Sequence, residues 1–505
     1  MLKNIGSNWF LMAVSGLSTL VLMPYNLAHL GASQYGLWLV ISALTAYLFL
    51  LHLGVPMASV RQMTQAIASG DTVALNQVIT TCAALYLALG VLVGVLGIPL
   101  LLYFEQSYRL QPDLQSLARL AFVLSLIWTG ISFIANMPYA ILSAHQAFVP
   151  TNMLMTFGIA VRLAINLALV LVYPNLVALA VVNLAVCIIE AVAAWSYVLR
   201  TYPEIRPRLA DFRRDTVHSI VGFSVFVFLM ALGSQLSFQT SALVIGHLMT
   251  SADVVSFAVP NSLMLIMMQF LGGIASVIMP VTTNLQTRGE WPALREVLHK
   301  WTKISLALSW CAGSFLFVFG PAFLALWINS AYTPEAGLAL RILTASYLIF
   351  LPVRSVAVPM LMGLGKAKWP TIATLAAGVL NLVLSLIWVR SYGLVGAAWG
   401  TFVPNVLLSA ALVALVCRDV SVPVRDYLLT AMPLATAGGL TGLAVLSVWQ
   451  QAFQPAGLIG LAIAGGLTML VSAFIWSQFV LRNDPHIVIP PLADLLQGKR
   501  PWAPT

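Results

Sequence analysis

Long apolar runs alternate with short polar or basic connections along the whole chain. About twenty apolar residues suffice to cross ~30 Å of hydrocarbon, because an α-helix rises ~1.5 Å per residue. Runs such as 83–102 lack the period of two that strands show, so the pattern predicts helices. We predict about fourteen membrane-spanning helices, numbered spans 1 to 14, near residues 8–29, 36–59, 78–104, 118–142, 152–173, 176–198, 218–247, 254–284, 303–327, 338–362, 371–390, 394–416, 428–449 and 457–480. The first run is predicted to be a retained helix rather than a cleaved signal.

Short motifs recur in the same order at an offset of about 219 residues. Each match is weak by itself, but four in order at a nearly constant offset indicate an internal repeat. The paired motifs are His29-Leu30 with His247-Leu248, Gly70-Asp71-x-x-Ala74-Leu75 with Gly289-Glu290-x-x-Ala293-Leu294, Ala147-x-x-Pro150-Thr151 with Ala367-x-x-Pro370-Thr371, and Leu176-Val177 with Leu394-Val395.

The repeat predicts an all-α integral membrane protein with two six-helix lobes. The N-lobe, 1–217, holds spans 1 to 6, and the C-lobe, 218–427, holds spans 7 to 12. Spans 13 and 14 and a cytoplasmic tail occupy 428–505. Because an even number of spans separates the copies, we expect a pseudo-twofold axis along the membrane normal. Two such lobes around a shared site are typical of transporters.

Composition and charge place the chain in a bilayer and orient it. Hydrophobic residues make up 60% of the chain, charged residues 8%, and the mean hydropathy is +0.95. With fourteen spans, 18 of the 24 Lys and Arg residues fall on the side that holds both termini. This bias predicts cytoplasmic termini. It also accounts for the net charge of +9 through contacts with anionic membrane lipids, without nucleic acid.

Neither the connections nor the cysteines favour an enzyme. The longest polar connections, 200–217 and 285–303, leave no room for a soluble catalytic domain. The four cysteines show no motif spacing and are predicted to pack as small apolar residues. We therefore expect no catalytic residue, metal site or cofactor. The cysteines are Cys82, Cys187, Cys311 and Cys417.

Four stretches carry a family resemblance: HLGASQYGLW at 29–38, YLFLLHLGV at 47–55 followed by Arg61, GKAK at 365–368, and GLVGAA at 393–398. They resemble bacterial polysaccharide flippases of the Wzx type, in the multidrug/oligosaccharidyl-lipid/polysaccharide exporter superfamily. The resemblance implies two lobes around a V-shaped cavity. Many relatives carry an arginine where this chain has Ala28, so a cationic role there is not transferred.

The resemblance also implies a function, a location and partners. The expected activity is the flipping of undecaprenyl-diphosphate-linked oligosaccharide from the cytoplasmic to the outer leaflet of the bacterial inner membrane. The product would enter O-antigen, capsule or exopolysaccharide synthesis. The expected partners are this lipid-linked substrate, membrane lipids, a polysaccharide polymerase and a chain-length regulator.

Polar side chains at helical spacing are the first candidates for substrate contacts, because a flippase needs groups that match sugar hydroxyls. They lie on spans 1, 7 and 8. The alternative is that they join neighbouring helices to one another. The candidates are Asn26 with Ser15 and Thr19 on span 1, Gln235 and Gln239 on span 7, and Asn261 and Gln269 on span 8.

Intramembrane charges are stronger signals, since ionisable groups are expensive at that depth. Arg162 in span 5 faces either the substrate or Glu190 of span 6 as a structural ion pair. Arg354 in span 10 has no carboxylate at its depth in neighbouring spans, which suits a diphosphate contact, although it could snorkel to the interface. Arg61 is either a topology anchor or a first contact for the headgroup. Weaker candidates are His52, His29 and His247.

Two other functions stay open at this point. A drug/cation antiporter of the same superfamily would need carboxylates in its cavity, and spans 1, 2, 7 and 8 have none within their apolar cores. A membrane-embedded polysaccharide polymerase or ligase would need a larger outer loop than 105–117. The flippase is therefore the favoured interpretation.

Overall fold

The computed structural model describes residues 2–52, 54–108, 112–328, 332–452 and 457–477, and its regular structure there is entirely helical. The predicted cytoplasmic tail, which follows span 14, lies outside these residues. Two 3-10 turns, Leu50–His52 and Leu209–Asp211, accompany fifteen α-helices. The helices are α1 Leu2–Phe49, α2 Val55–Ala68, α3 Thr72–Ser107, α4 Pro112–Ala135, α5 Met137–Ala144, α6 Phe148–Val172, α7 Leu176–Thr201, α8 Arg214–Leu248, α9 Ser251–Thr287, α10 Trp291–Trp327, α11 Pro334–Gly363, α12 Lys368–Val420, α13 Val424–Ala431, α14 Pro433–Ala452 and α15 Gly457–Trp476.

The helices account for the predicted spans once two kinks are considered. Among the described residues, eleven stretches are long and apolar enough to cross a membrane, or twelve if the bent pair α13–α14 forms one span. Two of the stretches, Gly6–Ala68 and Lys368–Val420, each merge two helices across a glycine with non-helical backbone. These glycines are Gly31 (φ 76°) and Gly393 (φ 56°). Each merged stretch therefore covers two predicted spans. Among the described residues the number of spans is then thirteen, or fourteen if α13–α14 forms one span.

Helix ends in the two halves repeat the same local geometry. Gly70 and Gly289 have left-handed φ values of 69° and 73°, and Gln146 and Gly365 have 57° and 70°. At all four sites the amide of the next residue donates to the carbonyl five residues before it, at 2.9–3.0 Å. This bond closes a helix C-terminus in the Schellman arrangement. The offset of 219 residues is thus present in backbone conformation as well as in sequence.

The chain forms two compact units that do not follow the predicted lobe boundaries. The first comprises Met1–Gly273, Trp327–Leu343 and Lys368–Pro404. The second comprises Ile274–Leu326, Thr344–Ala367 and Asn405–Thr505. The lobes 1–217 and 218–427 therefore stay a prediction based on the repeat. In the first unit, Trp327 Nε1 donates to the carbonyl of Leu20 at 2.8 Å, which ties this later segment to α1.

The connection between α7 and α8 is held by hydrogen bonds and by a ring stack to other residues of the first unit. The Asn76 side chain donates to the Glu204 carbonyl at 3.0 Å and accepts from the Arg206 amide at 2.7 Å. His145 stacks on Tyr202 with ring centroids 3.9 Å apart. Burial lowers the pKa of His145, although the nearby Glu204 carboxylate opposes that shift, so a neutral ring is favoured in the stack.

We expect the helix-ending glycines to resist substitution even though they have space around them. No atom lies within 4 Å of a Cβ built on Gly70 or Gly289, so Gly70→Ala or Gly289→Ala should cost only the left-handed strain, ~1–2 kcal/mol each. Gly94 in α3 also has no atom within 4 Å of a Cβ built on it, and its backbone is helical. Gly94→Ala should therefore stabilise the folded protein by ~0.5–1 kcal/mol. The thermal unfolding midpoint in detergent measures all three. A rise for Gly70→Ala comparable to that for Gly94→Ala would contradict this interpretation.

Candidate substrate-binding cavities

Three cavities adjoin one another in the first unit, and span 2 lines them in order along its length. Cavity A has a volume of about 830 Å³, cavity B about 450 Å³ and cavity C about 420 Å³. Cavities A and B share Ser42, Arg162 and Glu190 in their walls. Cavities B and C share Phe49 and Tyr139. The shared walls connect the three cavities in series, and Arg162 and Glu190 lie where cavities A and B meet.

Polar side chains of three helices line part of the wall of cavity A, which is otherwise mainly apolar. Ser15 and Thr19 reach it from α1, Gln239 from α8, and Asn261 and Gln269 from α9. Residues four or eight apart lie on one face of a helix, which is why α1 and α9 each contribute more than one polar group. Five of the seven sequence-based candidates on these spans thus line a common cavity.

Gln235, one turn before Gln239, lines cavity B instead. Its Nε2 is buried and has no hydrogen-bond partner within the described residues. A buried amide that lacks a partner is costly, so this donor is a ready contact for a polar ligand or water in cavity B. The Tyr47 hydroxyl donates to the backbone carbonyl of Gln235 at 3.4 Å.

The ion pair suggested for Arg162 and Glu190 does not form. Among the described residues, no Arg162 nitrogen lies within 4.0 Å of a Glu190 oxygen. The two side chains do interact electrostatically at longer range, and both lie in the shared wall of cavities A and B. Sequence position indicates depth along a span but not direction around the helix axis, so the sequence left open whether Arg162 faces Glu190 or the substrate. Both charges therefore face a common space instead of each other.

Glu190 takes its direct contacts from two other residues. Tyr139 Oη donates to Glu190 Oε1 at 2.6 Å. On the other side, a Cβ built on Gly158 would lie 2.6 Å from both Cδ and Oε2 of Glu190. Only glycine leaves room for the carboxylate in this position. The Glu190 side chain is thus held between a phenol and a bare helix surface.

The three histidine candidates are dispersed. His52 lines cavity C, where its ring centroid lies 5.0 Å from that of Phe49 and its Nδ1 is buried without a partner in the described residues. His29 is exposed and bonds through Nδ1 to the carbonyl of Tyr25 at 2.8 Å. His247 is also exposed. His29 and His247 belong to none of the three cavity walls.

Three further candidates are not among the residues that line the three cavities. Asn26 is buried, and its Oδ1 lacks a partner among the described residues. Arg61 is exposed in α2. Arg354 belongs to the second unit, where its guanidinium carbon lies 5.5 Å from the centroid of the Phe350 ring. A substrate contact at these residues stays a prediction.

Sequence reasoning missed the contribution of span 4 and of the polar residue on span 6. Trp128 and Asn136 line cavity B together with Tyr139, and Asn183 joins them from α7. Aromatic residues in an apolar span look like lipid-facing or core positions, so their types alone carry little signal. The spacing of Asn183 and Glu190, seven residues apart on one helix face, was an available indication.

Comparison with protein families identifies the chain. Residues 2–286, more than half of its length, match the family described as polysaccharide biosynthesis protein. The chain belongs to this polysaccharide biosynthesis family. The resemblance drawn from the sequence motifs is therefore confirmed. A comparison with curated protein sequences found no significant match.

Solved structures share the fold of this family member at low sequence identity. The lipid II flippase MurJ, in an inward closed conformation, gives a TM-score of 0.69 at 15% identity over 95% of this chain and 99% of its own. An inward-facing multidrug resistance MATE family transporter of the MOP superfamily gives 0.68 at 16%, over 80% and 94%. A MOP superfamily transporter from Pyrococcus furiosus gives 0.63 at 16%, over 83% and 95%. The predicted fold class, an all-α membrane protein with many spans, is thus confirmed.

Cavity A should be reachable from water if it receives a polar ligand. In a variant whose natural cysteines are replaced by alanine, single cysteines at Gln239 or Asn261 should react with a small water-soluble thiol reagent. A cysteine at Thr129, which is buried in the wall of cavity B, should react far more slowly. The rate of modification in native membranes is the measurement. Equal, negligible rates at Gln239 and Thr129 would show that cavity A is closed to water.

Proposed function

We propose that this protein flips an undecaprenyl-diphosphate-linked oligosaccharide from the cytoplasmic to the outer leaflet of a bacterial inner membrane. Membership of the polysaccharide biosynthesis family supports the pathway, and the transporter fold supports movement across a bilayer. Both termini lie in the cytoplasm in this proposal, as the distribution of basic residues indicates. A polysaccharide polymerase and a chain-length regulator would use the product.

The cost of moving sugars through hydrocarbon accounts for the polar groups in the wall of cavity A. A sugar hydroxyl costs ~4–8 kcal/mol to move unpaired from water into hydrocarbon, and an oligosaccharide carries many hydroxyls. The hydroxyl and amide side chains around cavity A offer replacements for the lost hydrogen bonds with water. The lipid tail needs no such protection, because hydrocarbon is its natural solvent.

The observation that carries the proposal is the position of Arg162. This cation lies at the junction of cavities A and B and has no ion-pair partner among the described residues. A guanidinium binds phosphate oxygens bidentately, and a diphosphate would supply the missing counter-charge. From the sequence alone, Arg354 was the preferred contact because no acid lay near it. The cavity geometry moves our assignment to Arg162.

The membrane potential favours the proposed direction. With the inside negative, the outward movement of an anion gains ~2.3 kcal/mol per charge for each 100 mV. A diphosphate head carries its charge with it, so this contribution is available without a coupling ion.

A cation antiporter is the second candidate, and one observation favours it. Glu190 places a carboxylate in the walls of cavities A and B, which removes part of the sequence-based objection. If this were the function, Glu190→Gln should abolish the efflux of a cationic dye from cells. Polysaccharide synthesis would then be normal in the absence of the gene.

The flippase proposal is tested by substituting Arg162 in a strain that lacks the wild-type gene. Arg162→Ala should reduce transport about ten- to a hundredfold, because it removes charge-assisted hydrogen bonds worth ~1.5–3 kcal/mol. Arg162→Lys should be intermediate, since the charge remains but the planar fork is lost. The measurement is the accumulation of lipid-linked oligosaccharide on the cytoplasmic leaflet.

The matched control is Arg390→Gln, which removes the same charge from an exposed position in α12 and should complement fully. Membrane abundance of each variant is determined by immunoblot. Full complementation by Arg162→Ala at normal abundance would refute the assignment. Loss of transport in Arg354→Ala alone would return the diphosphate contact to the second unit.

A further inference from the structure

We propose that the junction of cavities A and B recognises the first sugar of the substrate, with Glu190 as the residue that determines specificity. Tyr139 and Gly158 are positioning residues that hold its carboxylate. This inference rests on the proposed function, because it takes the diphosphate to lie at Arg162. The sugar joined directly to that diphosphate must then lie beside the same junction.

The gap between the two charges is the first supporting observation. Arg162 and Glu190 are close enough to interact electrostatically, yet no nitrogen and oxygen of the pair lie within 4.0 Å among the described residues. Polar groups that are too far apart for a direct hydrogen bond can be bridged by a water or by a polar group of a ligand. A diphosphate oxygen bound to Arg162 and a sugar hydroxyl donating to Glu190 would bridge them, as two neighbouring parts of one ligand.

The second supporting observation is the capacity of Glu190 to accept further hydrogen bonds. An ionised carboxylate only accepts hydrogen bonds and has about four positions for them. Tyr139 occupies one position, on Oε1. Sugar hydroxyls and acetamido N–H groups are donors, and their bonds to an ionised acceptor are roughly twice as strong as neutral ones. The remaining positions of Glu190 thus match a sugar better than they match a second phosphate, which the carboxylate would repel.

Helix α6 fixes the distance between the two contacts. Gly158 and Arg162 are four residues apart, so they lie on one face of α6, ~6 Å from each other along the axis. The bare surface at Gly158 receives the Glu190 carboxylate, and the next turn presents the guanidinium. The positions of the diphosphate and the first sugar are therefore set by a single rigid element.

Cavity B supplies space and a surface for the sugar ring. Its volume of about 450 Å³ lies within the ~300–1,000 Å³ typical of small-ligand pockets. The side chains of Trp128 and Phe49 provide apolar faces for the C–H groups of a sugar, while Asn183 and Gln235 provide amides for its hydroxyls. Such a mixture of aromatic and amide groups suits a carbohydrate better than a lipid tail.

The experiment measures how much a sugar adds to the affinity for a prenyl diphosphate. The probes are farnesyl diphosphate alone and farnesyl diphosphate bearing glucose, galactose, N-acetylglucosamine or N-acetylgalactosamine. Binding to the purified full-length protein in nanodiscs is measured by native mass spectrometry. For the wild type, we expect at least one sugar-bearing probe to bind about tenfold or more tightly than farnesyl diphosphate.

The variants separate recognition of the sugar from recognition of the diphosphate. The sugar-dependent ratio is the affinity for a sugar-bearing probe divided by the affinity for farnesyl diphosphate. Glu190→Ala should reduce this ratio to about one, and Glu190→Gln should lower it about fivefold. Gly158→Ala should lower it by displacing the carboxylate. None of the three should weaken the binding of farnesyl diphosphate, because Arg162 stays in place and the Glu190 variants remove a negative charge beside it. Glu335→Gln, a substitution of an exposed carboxylate in α11, should leave both affinities unchanged.

Each outcome decides one of the two proposals. An unchanged sugar-dependent ratio in Glu190→Ala, or a wild-type ratio of one for every sugar, overturns the assignment of Glu190 while leaving the flippase intact. Failure of the wild type to bind any prenyl diphosphate probe refutes the proposed function itself. Tyr139→Phe removes the hydrogen bond that orients the Glu190 carboxylate, so the affinities for the four sugar-bearing probes should become more alike. An unchanged preference among the four sugars would contradict the positioning role of Tyr139.

Discussion

The high cost of an ionised side chain in hydrocarbon is the constraint on which the cavities depend. Arg162 and Glu190 lie on helices long and apolar enough to cross a membrane, and they do not neutralise each other by direct contact. Such charges persist only beside water or polar groups. Cavities A and B provide these surroundings. The proposed substrate, with its sugars and diphosphate, would need the same surroundings as these two side chains.

Most of the fold could be predicted from the sequence because bilayer thickness restricts it strongly. Apolar length identifies spans, and the sequence repeat has an offset of 219 residues, which also separates the left-handed backbone at Gly70 from that at Gly289. The kink at Gly31 was less visible, since apolar residues continue through it. The compact units also differ from the predicted lobes. Contacts between distant spans decide such units, and hydropathy carries no information about them.

The site could be predicted only where helical periodicity was informative. Gln239, Asn261 and Gln269 lie in one cavity wall, as polar residues on one helix face would suggest. The partner of Glu190 could not be predicted, because sequence position gives depth in the membrane but not rotation about a helix axis. Tyr139 provides the direct hydrogen bond, and its place in an apolar span gave no sign of that role.

Transport by the purified protein alone tests the central claim most directly. Proteoliposomes would contain this protein and a short-chain prenyl-diphosphate oligosaccharide with a fluorescent label on its terminal sugar. A membrane-impermeant quencher reports which leaflet holds the label. We expect the wild type to equilibrate the lipid between leaflets, and the Arg162→Ala variant to resemble protein-free vesicles. Equal rates for both proteins would contradict the role of the cavity cation, and a wild-type rate equal to that of empty vesicles would contradict the flippase itself.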